Sequence, residues 1–262
     1  MKILFLIFYF LFMSFTIDIG NSRTKIALYE QGEVRHFPTI SSAIRACADR
    51  KAEHWGLGSV CPGRTEKVVE QIRRKRPGDT ITVLTQKEIP LKTEVDFPEK
   101  VGIDRLLAAY AAVRWKRKRP RDTQRPILLC DLGTAITVDL VSPDDVFLGG
   151  AILPGMNLAA KSLRRGTALL PKIEAFETAK FPGKNTQEAI RAGIFEGTIG
   201  AIRRFYDLSA NRPLLLLTGG DAEAVFPEIR RNIPTFCLPQ LVLDGIFAVV
   251  TGGIVSAVVR QH

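Results

Sequence analysis

The stretch DIGNSRT at residues 18–24 decides the fold, because DLGTAIT at residues 131–137 repeats it. Each copy ends one apolar, strand-like run and begins the next, which predicts a hairpin. The glycine allows the backbone to turn tightly and to approach a ligand closely. The N–H groups of the turn would donate hydrogen bonds to phosphate oxygens, as would the side chain of Asn21 or Thr134. The aspartate would contact a metal ion or water that bridges those oxygens. Two such hairpins facing each other would form a nucleotide clamp.

The repeat predicts two related α/β halves, residues 13–115 and 126–262, with a cleft between them. A chain of 262 residues, 46% of them hydrophobic, suffices for one large or two small cores. The predicted strands are residues 15–19, 24–29, 33–37, 55–60 and 80–84, then 127–130, 135–141, 146–152, 214–218 and 235–238. The predicted helices are residues 41–53, 65–75 and 102–115, then 157–165, 187–208, 222–231 and 242–259.

The positive charge is concentrated in two segments. The formal net charge is +10, and much of it lies in residues 73–76 and 114–125. The second segment, RWKRKRPRDTQR, contains Pro120 and has no apolar period. A nucleic-acid patch is one interpretation, but a solvated, extended linker between the halves is favoured. A basic surface also suits anionic substrates such as ATP.

The cysteines and histidines argue against a disulfide framework or a metal centre. None of the four cysteines forms a CxxC pair or has zinc-ligand spacing. They are therefore interpreted as reduced thiols of a cytoplasmic protein. The three histidines are far apart in sequence, which gives a histidine-based metal site or catalytic triad little support.

The N-terminus resembles the first two regions of a signal peptide. Residues 1–15 read MKILFLIFYFLFMSF, without a small-residue cleavage site. The run is too short for a transmembrane helix of about 20 residues. The favoured hypothesis is that residues 1–12 are a short extension or a start assigned too early, since Met13 stands one short strand before Asp18. A membrane anchor is the alternative.

An apolar strand at residues 214–218 ends in Gly219 and Gly220, where a helix is predicted to begin. Such a junction lets a flat ring or a phosphate approach the backbone and the helix N-terminus. An ordinary strand-to-helix turn is the alternative. Beside the two hairpins, an adenosine contact is favoured.

Asp104 and Arg105 stand near the start of a predicted helix. By itself, the aspartate is better explained as a helix cap. An acid beside an arginine is also what a small-molecule kinase needs, because the acid accepts the hydroxyl proton while the arginine holds an anionic substrate group. Lys25, on the strand that leaves the first turn, is either a phosphate contact or a surface residue. The sequence contains neither a P-loop nor the catalytic loop of protein kinases.

Several motifs in series resemble the type III pantothenate kinase family over about residues 13–258. The main ones are DIGNSRTK at 18–25, GIDR at 102–105, DLGTAIT at 131–137, GGAILPG at 149–155 and TGGD at 218–221. TALLP at 167–171, NTQEAI at 185–190 and LVLDG at 241–245 also agree in order.

The resemblance implies two duplicated ribonuclease-H-like, actin-like domains with an interdomain cleft. It implies ATP-dependent phosphorylation of pantothenate to 4'-phosphopantothenate, the first step of coenzyme A biosynthesis. Mg²⁺ would accompany ATP, and K⁺ or NH₄⁺ would be required. The partners implied are pantothenate and a second copy of the chain, with neither nucleic acid nor membrane.

The same resemblance assigns roles to residues, with Asp104 as the catalytic base. The residues assigned to ATP phosphate are Asp18, Gly20, Asn21, Ser22, Lys25 and Thr134. Those assigned to pantothenate are Gly102, Ile103, Asp104, Arg105 and Thr186. Asp131 resembles the family's monovalent-cation site, while Gly219 and Gly220 keep the adenosine contact inferred above.

One segment departs from the family pattern, which often has a tyrosine three residues before a proline ahead of the Gly-x-Asp-Arg motif. Here Val95 stands three residues before Pro98, and Phe97 is the aromatic residue nearby. Two other functions stay open on the residues alone. One is a kinase for another small hydroxyl substrate, and the other is a non-catalytic transcription accessory protein of the same fold.

Overall fold

The computed structural model describes residues 14–50, 53–173 and 178–252. The described chain forms two compact units. The first contains the residues up to Leu91, residues 96–118 and the segment that begins at Leu241, and the second contains residues 92–95 and 119–240. The interpretations of residues 1–13 as a leader, anchor or extension lie outside the described residues, as does the predicted helix beyond residue 252.

The first unit is built on a five-stranded sheet in the order β3-β2-β1-β4-β5. Its strands are β1 (Ser14–Ile19), β2 (Thr24–Glu30), β3 (Glu33–Phe37), β4 (His54–Ser59) and β5 (Thr80–Val83). The first three form the predicted antiparallel meander, and β4 and β5 continue the sheet parallel to β1. Gln31 and Gly32 join β2 to β3 with φ of 52° and 83°, as a type I′ turn requires.

The second unit is built on a six-stranded sheet in the order β11-β10-β7-β8-β9-β6. Its strands are β6 (Lys92–Thr93), β7 (Ile127–Leu132), β8 (Ala135–Val141), β9 (Val146–Pro154), β10 (Leu214–Thr218) and β11 (Thr235–Cys237). The strands β7 to β9 form the second meander, and β10 and β11 run parallel to β7. The two-residue β6 is too short to give a sequence pattern and has no predicted counterpart.

Seven α-helices of 7 to 23 residues accompany the two sheets in the described parts of the chain. They are α1 (Ile40–Ala46), α2 (Pro62–Lys75), α3 (Ile103–Arg117), α4 (Met156–Gly166), α5 (Thr186–Leu208), α6 (Ala222–Arg230) and α7 (Leu241–Thr251). No helix in the described chain is long and apolar enough to cross a membrane.

The prediction for α1 is wrong at both ends. The helix begins at Ile40, one residue before the predicted start, and its N-cap is Thr39, whose hydroxyl accepts the Ser42 N–H at 3.1 Å. The helix ends at Ala46 rather than at residue 53, and Cys47 is fully buried. Tight turns follow, in which the N–H of Arg50 donates to the Cys47 carbonyl. Burial of Cys47 and these turns end the helix where its apolar spacing alone does not.

The prediction of an extended, solvated linker over residues 114–125 is also wrong. The helix α3 continues to Arg117, with Trp115 buried and Lys116 fully buried. After the helix, Arg119 and Arg125 both pair with Asp122, at 3.0 and 3.2 Å. The segment is therefore folded locally, because tertiary burial and short-range ion pairs offset its run of like charges.

Candidate active site

The first repeat forms a four-residue loop between β1 and β2. The Gly20 N–H donates to the Arg23 carbonyl at 3.0 Å, and Ile19 pairs with Thr24 across the hairpin. Asn21 and Ser22 are exposed at the loop tip. Both residues therefore lie at the surface, at the end of a strand.

Asp18 and Lys25 lie opposite each other at the base of this loop. The Lys25 Nζ lies 3.9 Å from the Asp18 Oδ2, and the Asp18 side chain is only 13% exposed. The ammonium group is more accessible, at 40%. This arrangement places the Lys25 ammonium group at the base of the hairpin, beside a carboxylate that is largely shielded from solvent.

Arg64 holds the first hairpin in place, although the sequence does not predict it as a site residue. From the first turn of α2, its Nη1 donates to the Gly20 carbonyl at 2.6 Å and its Nη2 to the Asn21 carbonyl at 3.1 Å. The guanidinium fork therefore fixes the two carbonyls that precede the loop tip. No local sequence signal identifies a contact across more than forty positions of the chain.

The second repeat forms a shorter loop. Leu132 pairs with Ile136 and Asp131 with Thr137, while the Gly133 N–H donates to the Ala135 carbonyl at 3.1 Å. Thr134 is exposed at the tip. The two aspartates therefore face different partners, a lysine in the first hairpin and a threonine in the second, although the two segments align in sequence.

Two glycine turns pack directly against the second hairpin. Gly219 has φ +93°, and a Cβ there would collide with Asp131 Oδ1 and the Leu132 carbonyl oxygen. Asp221, two residues after Gly219, donates its N–H to the Leu132 carbonyl at 3.0 Å. Gly155 donates its N–H to the Thr134 carbonyl at 3.1 Å, and a Cβ there would collide with that carbonyl. The structure thus brings Asp131, Thr134 and Gly219 together, with Gly220 exposed beside them.

The backbone conformation does not require glycine at position 20 or 133, the glycine positions of the two repeats. Neither Gly20 nor Gly133 lies in the left-handed region. A Cβ would meet its nearest neighbour at 3.4 Å at Gly20 and at 3.5 Å at Gly133, which are ordinary contacts. Of the two reasons given for these glycines, tight turning and close approach to a ligand, only the second is left.

Asp104 lies in the first turn of α3, whose N-cap is Gly102. Its Oδ1 accepts the Arg105 N–H at 2.9 Å, so the carboxylate helps to satisfy the helix N-terminus without being the N-cap residue. Asp104 and Arg105 are both half-buried. The Arg105 N–H thus engages one of the two carboxylate oxygens.

Close helix packing fixes α3, and with it Asp104. A Cβ at Gly58 of β4 would lie 2.6 Å from a Leu107 methyl, and a Cβ at Gly245 of α7 would collide with the Leu107 carbonyl. The absence of these side chains lets α3 approach both β4 and α7 closely. Before the helix, the Gln86 side chain donates to the Val101 carbonyl at 2.9 Å. The first turn of α3 is therefore held from two directions.

A buried polar pair joins α7 to β2. The Tyr29 hydroxyl donates to the Asp244 carboxylate at 2.6 Å, and both residues are buried. Burial, and then the negative charge of Asp244, raise the pKa of Tyr29 well above its usual value. The LVLDG motif at residues 241–245 thus has a structural role in seating α7, besides its place in the sequence pattern.

The residues predicted for the pantothenate site differ in accessibility. Ile103 is buried, so its side chain belongs to the core, whereas Gly102 and Arg105 are half-buried. Thr186 is the first residue of α5 in the second unit and is exposed, next to the N-cap Asn185. Phe97 is 58% exposed, with Lys100 Nζ 4.3 Å from its ring centroid.

The carboxylates of the site suit a metal ion that is also bound by substrate oxygens. They do not suit a site in which the protein supplies every ligand. Over residues 14–50, 53–173 and 178–252, no group of three or more His, Cys, Asp or Glu side chains is arranged to hold a metal ion. Mg²⁺ commonly needs only one or two carboxylates besides substrate phosphates. Asp131 Oδ1 and the Leu132 carbonyl oxygen both lie beside Gly219, and carboxylate and carbonyl oxygens are the type of ligand that hard cations prefer.

Comparisons with known proteins agree with one another. A family model described as type III pantothenate kinase matches residues 14–208. The type III pantothenate kinase of Rhodopirellula baltica is 31% identical over 223 residues, covering 81% of this chain and 79% of the relative. That of Alkalilimnicola ehrlichii is 33% identical over 244 residues, covering 88% and 94%.

Solved structures support the predicted fold. A Campylobacter jejuni protein described as a conserved putative Baf family transcriptional activator aligns with a TM-score of 0.60 at 20% identity, covering 91% of this chain and 98% of that one. The apo psk41 ParM protein aligns with a TM-score of 0.50 at 8% identity, covering 92% and 96%. At these identities the likeness concerns the fold alone, and it confirms the actin-like, sugar-kinase-like α/β class.

Proposed function

The chain belongs to the type III pantothenate kinase family and phosphorylates pantothenate with ATP in coenzyme A biosynthesis, and on this premise we propose which of its residues do the work. The observation that carries the proposal is the pair of Asp-Gly hairpins with exposed tips, together with the carboxylate of Asp104 at the start of α3. Phosphoryl transfer needs positioning and charge neutralisation more than covalent chemistry. The hairpins serve the first need, and Asp104 serves the proton transfer.

In the first unit, the loop of residues 20–23 receives ATP phosphate through its exposed tip, and Lys25 adds a positive charge. Asp18 lies directly across from Lys25, so it orients the ammonium group and offers a carboxylate to the divalent ion. In the second unit, Thr134 contacts phosphate, and Gly219 and Gly220 form a flat backbone surface for adenosine. Mg²⁺ supplies charge neutralisation for the triphosphate when bound, and Asp18 is the residue best suited to hold it.

Asp104 is the general base of the reaction. One carboxylate oxygen is engaged by the Arg105 N–H. The other carboxylate oxygen accepts the proton of the pantothenate primary hydroxyl. The hydroxyl oxygen of pantothenate bonds to the γ-phosphorus at the same time, and ADP leaves. Arg105 holds the substrate carboxylate through its guanidinium fork. Gly102 gives the substrate access to this turn, Ile103 supports it from the core, and Thr186 supplies a further hydroxyl contact.

Asp131 is assigned to a monovalent cation, K⁺ or NH₄⁺. Its carboxylate and the Leu132 carbonyl oxygen both lie beside Gly219, and the cation would neutralise charge near the phosphate hairpin. The working form is proposed to be a homodimer. A cytoplasmic location is supported by the four cysteines, all of which are free thiols.

ADP release by the purified chain, with ATP, Mg²⁺ and K⁺, tests the proposal. The wild type should depend on pantothenate, and activity should fall when Na⁺ replaces K⁺. Asp104→Asn preserves an acceptor for the Arg105 N–H but removes the base, so kcat should fall by roughly 100-fold or more. Glu99→Gln, which removes an exposed carboxylate five positions earlier, is the matched control.

Three outcomes would contradict parts of the proposal. Near-normal turnover by Asp104→Asn would exclude it as the base. ADP release that ignores pantothenate but responds to another alcohol would indicate a different substrate. Salt-sensitive DNA binding by a folded protein without turnover would favour a non-catalytic regulator.

A further inference from the structure

A cavity of about 790 Å³ lies in the second unit, away from the phosphate hairpin. Its lining includes Arg125, Arg212 and Pro234, which directly precede β7, β10 and β11 or lie within two residues of their starts. Asp131 and Gly219 stand at the other ends of β7 and β10. Since β10 has five residues, the two ends of this strand are roughly 16 Å apart. The cavity has the volume of a small-ligand site and no part in the phosphoryl transfer described above.

The charged lining of the cavity is predominantly basic. The lining includes three arginines, Arg125, Arg203 and Arg212, and a single acidic residue, Asp207. Tyr206 and Ser209 also line the cavity, and the wall beside them includes Ile233 and Pro234. Arginine guanidinium groups bind phosphate and carboxylate groups through paired N–H donors.

Arg203 carries an unused donor at this site. Its Nη2 donates to the Glu228 carbonyl at 3.1 Å, but its Nε is buried and has no hydrogen-bond partner in the described chain. A buried N–H without an acceptor is unfavourable, so such groups usually have a partner. Arg203 also lines the cavity, so its guanidinium group lacks a full set of acceptors at the place where an anion would bind.

Arg125 organises the loop at the other side of the cavity. It donates to the Arg212 carbonyl at 3.0 Å and to the Pro213 carbonyl at 3.3 Å, and it pairs with Asp122 at 3.2 Å. These bonds hold Asn211 and Arg212 in left-handed conformations, with φ of 63° and 44°. The Arg212 side chain is exposed on the lining as a result.

Helix capping explains only part of this arrangement. The helices α5 and α6 end at Leu208 and Arg230, beside the cavity, and helix C-termini attract cations. The bond from Arg203 to the Glu228 carbonyl in the last turn of α6 is of this kind. Capping leaves the Arg203 Nε unpaired and does not require the Arg212 side chain at the same cavity.

We propose that this cavity binds a small phosphate ester. The phosphate is held by Arg203 and Arg212, and the organic group lies against Ile233 and Pro234. A single cavity whose arginines stand beside Ile233 and Pro234 suits a small molecule better than a nucleic-acid strand, whose backbone follows extended basic grooves.

Isothermal titration of the full chain with phenyl phosphate tests the site, with the catalytic site saturated by pantothenate and a non-hydrolysable ATP analogue. The wild type should bind one equivalent, more tightly than it binds inorganic phosphate. Arg212→Gln should weaken binding by about tenfold or more, since it removes a charge-assisted contact but keeps the backbone carbonyl that Arg125 requires. Arg203→Gln should do the same. The matched control is Arg204→Gln, which removes an exposed charge from the same helix outside the cavity.

Equal affinities in the Arg212→Gln and Arg204→Gln variants would overturn the proposal and leave helix capping as the role of these arginines. The absence of binding to wild type at millimolar phenyl phosphate would also overturn it. Binding of a DNA duplex that is lost in Arg212→Gln, without phenyl phosphate binding, would assign the surface to nucleic acid instead. Melting curves identify any variant that fails to fold. If Arg203→Gln does not fold, Arg212→Gln alone still tests the proposal.

Discussion

The two phosphate hairpins are similar in sequence and differ in how they are supported. In the first hairpin, a side chain from a neighbouring helix holds the loop: Arg64 donates to the Gly20 and Asn21 carbonyls. In the second, backbone packs on backbone, with Gly155 and Gly219 against the loop and its aspartate. One support is a polar fork that can be removed without crowding. The other depends on the absence of side chains.

The hairpins also differ in register. Asp18 pairs with Lys25, whereas Asp131 pairs with Thr137, because the second loop is one residue shorter between paired strands. The repeated threonines, Thr24 and Thr137, therefore occupy different places relative to their aspartates. A repeat in sequence thus predicts two hairpins but not two identical sites, and the four substitutions below separate their roles.

The largest effect is expected at the glycine that supports the second hairpin. Gly219→Ala forces a side chain into a left-handed position and against Asp131, which should destabilise the second unit by about 3 kcal/mol. The thermal transition should fall by roughly 6–12 °C, with loss of turnover. Gly20→Ala in the first hairpin is the comparison: a Cβ there meets only an ordinary contact, so melting should stay near wild type.

Calorimetric melting of both glycine variants decides this contrast. A Gly20→Ala protein as unstable as Gly219→Ala would show that the first loop is as crowded as the second. Gly20→Ala should still raise the KM for ATP if the bare backbone approaches phosphate. An unchanged KM would remove the remaining reason for glycine at that position.

Removal of Lys25 tests the charge that only the first hairpin carries. The Lys25–Asp18 pair is partly exposed, so Lys25→Ala should change the free energy of unfolding by less than about 1 kcal/mol. The KM for ATP should nevertheless rise by about tenfold, because a charge-assisted phosphate contact is lost. Steady-state kinetics with varied ATP measures this, with Lys67→Ala as the exposed-lysine control. Equal KM values in the two variants would make Lys25 a surface residue.

Removal of Arg64 tests the polar support of the first hairpin. Arg64→Ala leaves two loop carbonyls without their donor, so the loop should lose order and the KM for ATP should rise by about threefold, with kcat changed less. Hydrogen exchange should accelerate in residues 20–23 and not in the second hairpin. Arg73→Ala removes an exposed charge from the same helix and should match wild type. Unaltered exchange in Arg64→Ala would show that the loop keeps its shape without the fork.

Local pattern was sufficient to predict most of the strands and the hairpin turns. The meander of β1 to β3 follows from alternating runs bounded by Gly20-Asn21 and Gln31-Gly32, and the structure has these strands within a residue of the predicted bounds. The fold class and the function followed from the order of several motifs. These features depend on residues that are close in sequence or on the order of motifs along the chain. Neither requires knowledge of tertiary contacts.

The features that could not be predicted depend on distant contacts. Arg64 bonds to carbonyls more than forty residues earlier in the chain, and Lys116 is fully buried within a run that reads as solvated. The premature end of α1 at Ala46 likewise follows from where Cys47 packs. The requirement for glycine at Gly219 depends on Asp131, which comes from another strand. Composition does not encode such pairs.

The smallest effect expected is a difference in acid sensitivity between the two units. Burial lowers the pKa of His54 at the start of β4, while its ring nitrogen lies 2.8 Å from the Thr82 hydroxyl. A lowered pKa means that the stabilising contribution is fully present above about pH 6.5 and is lost as the pH falls towards the folded-state pKa. Residues 119–240 contain no histidine. Mild acid should therefore loosen the first sheet before the second.

Hydrogen exchange at pH 7.5 and 5.5 checks this difference, read separately in β4 and β10. Glu53 opposes the effect, because burial raises its pKa despite Arg50, so its own contribution is lost as the pH rises. His54→Gln isolates the histidine, since glutamine can keep a bond to Thr82 but does not titrate. The difference in exchange between wild type and His54→Gln should appear only at the lower pH and only in the first sheet. The same difference at both pH values would mean that the substitution acts through packing, and the contrast in acid sensitivity would then rest on groups other than His54.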